Sequence, residues 1–380
     1  MSDPLRQERV ARAALCRLAE PGDPRLAGLV AELGAVRVHA HLAAECDLGG
    51  VLSDVAARLI NLNPETDLEE AADKGLRFVI PGDPEWPQSL DDLDHAPVIQ
   101  GRGGQPLGLW VRGPLDLGAL GCPVAIVGSR SATTYGVQAA ADIAADIASS
   151  GVAVISGAAF GIDQAAHRGA LGARGCTVAV LACGADRSYP TAHQGLIRHI
   201  AEVGAVVSEV APGCAPTKLR FLSRNRLIAA LARGTVVVEA ALRSGALNTA
   251  NWSNGLNRAL MGVPGPITSA QSQGVHELLR SGATSLVTSG ADVLEVVGAA
   301  GDHVQPFARG EERASDRLTL RQRQVLDAVP VAHGVAADSI ARTAGIGLVE
   351  VRSALARLAS LGLAEFTESG WRLSSEAPAH

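Results

Sequence analysis

The chain has 380 residues, 47% of them hydrophobic, which is enough for two or three domains with a substantial core. No run approaches the ~18 uncharged apolar residues of a membrane span, and the first ten residues carry charge and proline where a secretory signal needs an apolar run, so we expect a cytoplasmic protein without membrane insertion. The net charge of −6 is uneven, since no acidic residue occurs between positions 210 and 238, and an anionic partner is therefore not excluded.

The first 122 residues divide into two predicted segments. Residues 1–75 are helical in composition, with apolar residues at helical spacing in 9–19 and 25–34, and we interpret them as a small helical domain. Residues 76–122 contain six prolines and many glycines, which predicts a loop-rich connector.

Residues 123–298 show a regular alternation of short apolar runs and Ala-rich stretches of helical composition. Continuous apolar strands alternating with helices are typical of a parallel sheet covered on both faces. The fold class predicted here is α/β, with a doubly wound, mostly parallel, Rossmann-like sheet. Its strands are expected at 124–128, 152–156, 177–182, 205–208, 235–239, 259–263 and 284–287.

The end of the chain is predicted to form a separate small domain. Residues 299–317 are polar and charged, as in a linker. Within 318–375, three helical segments precede a turn at Gly370, which is the plan of a winged helix. Arg352 and Arg357 stand beside Glu350 on the last helix. That is weak support for DNA reading, and a packing or partner-binding module is at least as consistent with it.

Small residues and one arginine occur where the first predicted strands end. In a parallel sheet, ligands bind outside the carboxyl ends of the strands near the switch point. There, backbone N–H groups and a guanidinium group can hold an anion. The alternative is that these are ordinary turns between strands and helices. The candidate residues are Gly128, Ser129, Arg130, Ser156 and Gly157.

A second candidate cluster spans residues 218–226, where four cations surround one aromatic residue. Proteins that bind single-stranded nucleic acids combine charges that follow the backbone with rings on which bases stack. The alternative is a solvated helix start with Phe221 in the core. The candidate ligands are Lys218, Phe221, Arg224, Asn225 and Arg226.

Signals for catalysis are sparse. Asp163 and His167 are four residues apart on a predicted helix and could form an acid–base or metal pair, although the favoured interpretation is helix capping by Asp163 and a hydrogen-bonded His167. Glu239 could face a bound sugar or could bind backbone amides. The sequence has no GxGxxG, Walker A, HExxH or GxSxG motif. We therefore expect no cofactor, no metal and no catalytic residues.

Five sequence motifs occur in a fixed order along the chain. They are VAIVGSRSATTYG (124–136), ISGAAFGIDQAAHRGAL (155–171), GAVVSEVAPG (204–213), RFLSRNRLIAAL (220–231) and VVVEAALRSGALNTA (236–250). In order and spacing these motifs resemble those of the DNA-processing protein A (DprA/Smf) family. The similarity covers about residues 80–290.

The resemblance implies a homodimer that binds single-stranded DNA, loads the RecA recombinase onto it and protects incoming DNA in natural transformation. The family's basic pocket corresponds to Gly128, Ser129, Arg130, Ser156 and Gly157. Its Lys-x-x-Phe element matches Lys218 and Phe221, and its Arg-Asn-Arg element matches Arg224, Asn225 and Arg226.

The chain departs from the family pattern at three places. His193 stands where Asn is common, and Phe160 stands where many relatives carry another, often basic, residue. Asn257 and Trp252 follow the last motif. The alternative function is a nucleotide-hydrolysing enzyme, resembling the lysine-decarboxylase-like phosphoribohydrolases. Their PGGxGTxxE-type loop does not occur in this sequence.

Overall fold

The computed structural model describes residues 3–46, 63–303 and 314–374. The chain separates into two compact units, residues 1–305 and 306–380. Each unit has its own hydrophobic core.

The first unit begins with helices that start at acidic or amide caps followed by proline. Asp3, Asp23 and Asn63 each accept backbone N–H groups of the first turn, which satisfies donors that a helix start leaves free. Residues 47–62 of the predicted helical segment lie outside the described residues. The helices are α1 (Pro4–Leu18), α2 (Pro24–Leu33), α3 (Ala35–Cys46) and α4 (Pro64–Asp73).

Among the described residues, no single helix is long and apolar enough to cross a membrane. The bent pair Pro24–Leu33 and Ala35–Ala44 would meet the length and composition criteria only if its two helices were taken together.

A nine-stranded sheet dominates the described part of the first unit. Its order is β1-β2-β6-β5-β4-β3-β7-β8-β9, and the strands from β3 to β9 pair in parallel. The predicted doubly wound, mostly parallel sheet is thereby confirmed. The strands are β1 (Leu76–Val79), β2 (Leu109–Arg112), β3 (Val124–Val127), β4 (Val154–Ser156), β5 (Thr177–Val180), β6 (Ala205–Ser208), β7 (Gly234–Val237), β8 (Ala259–Gly262) and β9 (Ser285–Leu286).

The segment predicted as a loop-rich connector contributes two of these strands. β1 and β2 pair antiparallel with each other, and β2 pairs antiparallel with β6. Both strands lie in a proline-rich segment and each contains an arginine, so neither forms the continuous apolar run that marks the other strands. Phe78 and Trp110 pack together with Ala13 of α1 and Ala71 of α4 in one core cluster.

Helices cover both faces of the parallel part of the sheet. Val124 and Ile126 of β3 face one core cluster, and Ala125 and Val127 face the other, as the alternation of a strand requires. The helices of this part are α5 (Thr134–Ser149), α6 (Ile162–Gly172), α7 (Gln194–Val203), α8 (Lys218–Leu231), α9 (Ala246–Gly255), α10 (Gln273–Arg280) and α11 (Gly290–Val297). Short 3₁₀ helices occur at Gln88–Asp94, Leu117–Ala119 and Thr191–His193.

The second unit contains three helices and a hairpin in its described residues. A 3₁₀ turn at Ala314–Arg317 precedes α12 (Leu320–Asp327), α13 (Ala337–Ala344) and α14 (Leu348–Ser360), and strands β10 (Ala364–Thr367) and β11 (Gly370–Leu373) pair antiparallel. This is the order of elements that the sequence predicts. Its identity as a winged helix, and any ligand of it, stay predictions. Residues 304–313 of the predicted linker lie outside the described residues.

Candidate nucleic-acid interface

A cleft of about 790 Å³ opens at the carboxyl ends of the parallel strands. The chain leaves β3 toward β4 on one side and returns to β7 on the other, so the cleft lies at the switch point where such sheets bind ligands. Its walls come from the turns after β3 and β7 and from the start of α8. They include Gly128, Ser129, Arg130, Ser131, Tyr189, Lys218, Phe221, Arg224, Asn225, Arg243 and Ser244.

The ring of Phe221 lies close to two guanidinium groups. The Cζ of Arg130 is 4.6 Å from the ring centroid, and the Cζ of Arg224 is 5.9 Å away. Both distances fall within the range of cation–π attraction. Tyr189 approaches the same ring, with 5.8 Å between centroids. The structure therefore brings together the two clusters that the sequence analysis selected separately.

The cleft is electropositive. Four cations line it, namely Arg130, Lys218, Arg224 and Arg243, against one acidic side chain, Asp163. Arg130, Lys218 and Arg243 are exposed, so these charges are available to a ligand. The first turn of α8, capped by the Thr217 hydroxyl accepting the N–H of Arg220, adds the positive end of a helix dipole.

Arg224 forms the buried floor of the cleft. One of its Nη atoms lies 3.9 Å from Asp163 Oδ2 and donates to the carbonyl oxygen of Val180 at 3.3 Å. Burial lowers the pKa of Arg224, and the nearby Asp163 carboxylate opposes that shift. Burial likewise raises the pKa of Asp163, against the influence of Arg224. The pair compensates two charges that would be costly to bury separately.

Two of the predicted ligands, Ser156 and Gly157, lie behind the wall of the cleft. The Ser156 hydroxyl is buried and donates to the carbonyl oxygen of Ile126 at 2.6 Å. A Cβ on Gly157 would lie 1.1 Å from an Nη of Arg224, so the glycine makes room for the guanidinium group. Neither residue lines the cleft. Asn225 does, and its side-chain amide donates to Asn248 Oδ1 at 3.1 Å.

Arg226 requires a correction to the predicted set. Its side chain is fully buried, and it forms a two-pronged salt bridge with Glu209 at 2.6 and 2.7 Å. It also donates to the carbonyl oxygen of Gly104. Arg226 lies two residues beyond Arg224 on α8 and therefore points to another side of the helix. It holds α8 in place and does not reach the cleft.

The side chains considered for catalysis have structural partners. Glu239 is buried and accepts the N–H and hydroxyl of Thr133 at 2.9 and 2.5 Å. His167 is buried with Nδ1 at 2.8 Å from the Thr177 hydroxyl, and burial lowers its pKa to about 3. A neutral, enclosed imidazole is a poor acid–base group at neutral pH.

Arg243, Ser244 and Tyr189 line the cleft although the sequence analysis did not select them as ligands. Arg243 and Ser244 follow β7, the strand beside β3 at the switch point. The position of Arg243 just beyond a predicted strand end was the available signal. Tyr189 comes from the loop after β5.

A family model and a relative in sequence identify the family of this chain. The family model described as DNA recombination-mediator protein A matches residues 77–298. The putative DNA processing protein DprA of Mycobacterium tuberculosis is 43% identical over 368 residues, which cover 95% of this chain and 93% of the relative.

Two solved structures extend this similarity to the fold. The DNA processing protein A of Streptococcus pneumoniae matches with a TM-score of 0.61 at 32% identity, over 74% of this chain and 95% of that one. The protein from Helicobacter pylori, whose structure concerns a single-stranded-DNA binding mode, matches with a TM-score of 0.51 at 27% identity, over 58% of this chain and 96% of that one. This chain is a member of the DNA recombination-mediator protein A family.

Proposed function

We propose that this chain binds single-stranded DNA in the cleft at the switch point and acts as a recombination mediator. The observation that carries the proposal is the placement of Phe221 close to Arg130 and Arg224 in an electropositive cleft. The single-stranded-DNA binding mode of the Helicobacter pylori relative supports it.

The chemistry of the cleft favours single strands over duplexes. Arg130, Lys218 and Arg243 are positioned to contact phosphate oxygens, and Phe221 can stack on a base. In a duplex, the faces of the bases are occupied by their neighbours, so the ring would contribute little. Stacking and charge together are the combination that single-strand binders use.

The wider role rests on family membership. We propose that the protein loads the RecA recombinase, protects incoming DNA in natural transformation, works as a homodimer in the cytoplasm, and acts by binding rather than catalysis. The last point draws support from Glu239 and His167, which are engaged in structural contacts. A phosphoribohydrolase would need an accessible carboxylate in the place of Glu239.

A fluorescence-anisotropy titration tests the proposal. Single- and double-stranded oligonucleotides of equal length are titrated at two salt concentrations. Tighter binding of the single strand, weakened by salt, is expected. Equal affinity for both forms, or no binding at low salt, would overturn the proposal. Incubation with nucleoside monophosphates tests catalysis in parallel, since release of free base that is abolished by Glu239→Gln would favour the enzyme.

A further inference from the structure

Phe160 has a solvent-exposed aromatic side chain next to the cleft. It is 47% exposed, whereas Trp86, Trp110 and Trp252 of the same unit are at most 5% exposed. Phe160 lies in the loop between β4 and α6, and the preceding residue, Ala159, lines the cleft. An exposed ring in this position has no role in the core.

The loop that carries Phe160 is fixed on both sides. Asp163 accepts the N–H groups of Gly157 and Ala159, and Ala158 has a positive φ of 53°. A Cβ on Gly161 would lie 2.3 Å from the carbonyl oxygen of Ser129, so the loop is pressed against the turn that carries Arg130. The backbone that carries the ring is thus held against the turn of Arg130, and the loop has little freedom to lose on binding.

His193 packs against the ring of Phe160. The two rings meet edge to face, with centroids 4.5 Å apart and an interplanar angle of 65°. His193 is buried, and its Nδ1 donates to the carbonyl oxygen of Ala158 at 2.9 Å. An edge-to-face contact of this kind holds an aromatic side chain in one orientation. The same short segment begins with Tyr189, which is 43% exposed and lies near Phe221.

We propose that Phe160 is a second base-stacking position, occupied by a nucleotide next to the one at Phe221 along the strand. This inference rests on the proposed function, because it requires a single strand in the cleft. Phe221 supplies the first ring and Tyr189 lies beside it. Phe160 would supply the second ring, since it follows Ala159 of the cleft wall and packs on His193 of the segment that begins with Tyr189. A rigid, half-exposed ring next to an electropositive cleft is what sequence-tolerant stacking needs.

The experiment compares variants that keep or remove the ring, using oligothymidylate and an abasic deoxyribose-phosphate strand of equal length. Phe160→Leu should weaken oligothymidylate binding about tenfold, and Phe160→Trp should stay within about twofold of wild type. On the abasic strand, both variants should bind as wild type does, because no base is present to stack. Tyr135→Leu removes an equally exposed ring (46%) that does not line the cleft and should leave both affinities unchanged.

Fluorescence gives a readout that does not depend on affinity. The indole introduced by Phe160→Trp should be quenched by oligothymidylate and not by the abasic strand. The inference is overturned if Phe160→Leu binds oligothymidylate as tightly as wild type, loses no more than Tyr135→Leu, or loses equally on the abasic strand. Absence of oligothymidylate binding by the wild type would instead overturn the proposed function.

Discussion

The guanidinium group of Arg130, from the turn after β3, lies 4.6 Å from the centre of the Phe221 ring on α8. This contact joins two parts of the cleft wall, since one residue follows β3 and the other lies in the first turn of the helix that connects β6 to β7. A base stacked on Phe221 would therefore lie beside a positive charge. Recognition of phosphate and of base would then be coupled at this position.

The first prediction concerns the exposed cations. Arg130→Gln, Lys218→Gln and Arg243→Gln should each flatten the dependence of log Kobs on log salt by about 0.7, because each removes one phosphate contact to a single strand. Anisotropy titrations over a range of salt concentrations measure this slope. Arg198→Gln, an exposed arginine on α7 outside the cleft, is the control. A triple variant with the wild-type slope would contradict the site.

A second prediction concerns Gly157. In Gly157→Ala the new methyl group would occupy the space of the Arg224 guanidinium and displace it. Loss of one charge-assisted contact, worth about 1.5 kcal/mol, should weaken single-strand binding by about tenfold. Gly172→Ala, where nothing lies within 4 Å of the added Cβ, should bind normally. Equal binding by the two variants would show that Arg224 does not need its present position.

The third prediction separates Arg226 from the cleft. Arg226→Ala leaves Glu209 buried without its partner, which should lower the free energy of unfolding by about 3–5 kcal/mol. Replacing both residues with methionine should recover most of that loss. The double variant should keep the wild-type salt slope for DNA. Urea unfolding and anisotropy measure the two quantities.

The exposed pair Arg280–Glu277 provides the matching control for Arg226. Its side chains are 77% and 52% exposed, so Arg280→Ala should cost less than about 1 kcal/mol. If the Arg226→Met/Glu209→Met variant folds but its DNA affinity depends less steeply on salt than that of the wild type, Arg226 belongs to the binding site.

The fourth prediction is a pH dependence of stability from His167. Its pKa is lowered from 6.5 to about 3 by burial, so between these values the unfolded chain binds the proton more strongly than the folded one. Stability from this group is complete above pH 6.5 and falls as the pH decreases toward 3. Between pH 7 and pH 5, the wild type should lose about 2 kcal/mol relative to His167→Gln.

Urea unfolding at the two pH values measures the difference. Burial raises the pKa of Asp163, so its contribution to the pH dependence of stability has the opposite sign. Because the wild type and His167→Gln both contain Asp163, its contribution cancels in the comparison. His199→Gln, an exposed histidine on α7, serves as the control. An identical loss in wild type and His167→Gln would show that this imidazole is not enclosed in the folded protein.

The parallel sheet could be predicted from the sequence because its strands are continuous apolar runs. Val124–Val127 and Gly234–Val237 are buried on both faces, which produces a signal that does not depend on their partners. The antiparallel strands β1 and β2 gave no such signal, since each contains an arginine and both lie in a proline-rich segment. Their pairing depends on β6, far along the chain.

The residues of the candidate site could be predicted only in part, because the sequence does not show where each side chain points. Composition identifies a cluster of arginines but not the direction in which each points. Arg224 faces the cleft and Arg226 faces Glu209, although they are two residues apart on one helix. Which arginine can bind a ligand depends on where the acidic side chains lie in space. Glu209, the partner of Arg226, comes directly after the end of β6 and not from the helix itself.

The packing of α1 and α4 against Phe78 and Trp110 has a consequence for how the chain can be divided. A truncation starting at residue 77, where the family match begins, would remove α1 and α4. It would thereby expose Phe78, Trp110 and the edge of the sheet to which they belong. Such a fragment would be prone to self-association. Helices α1 and α4 are therefore an integral part of the sheet domain, and binding experiments on a shortened chain would be made on a damaged protein.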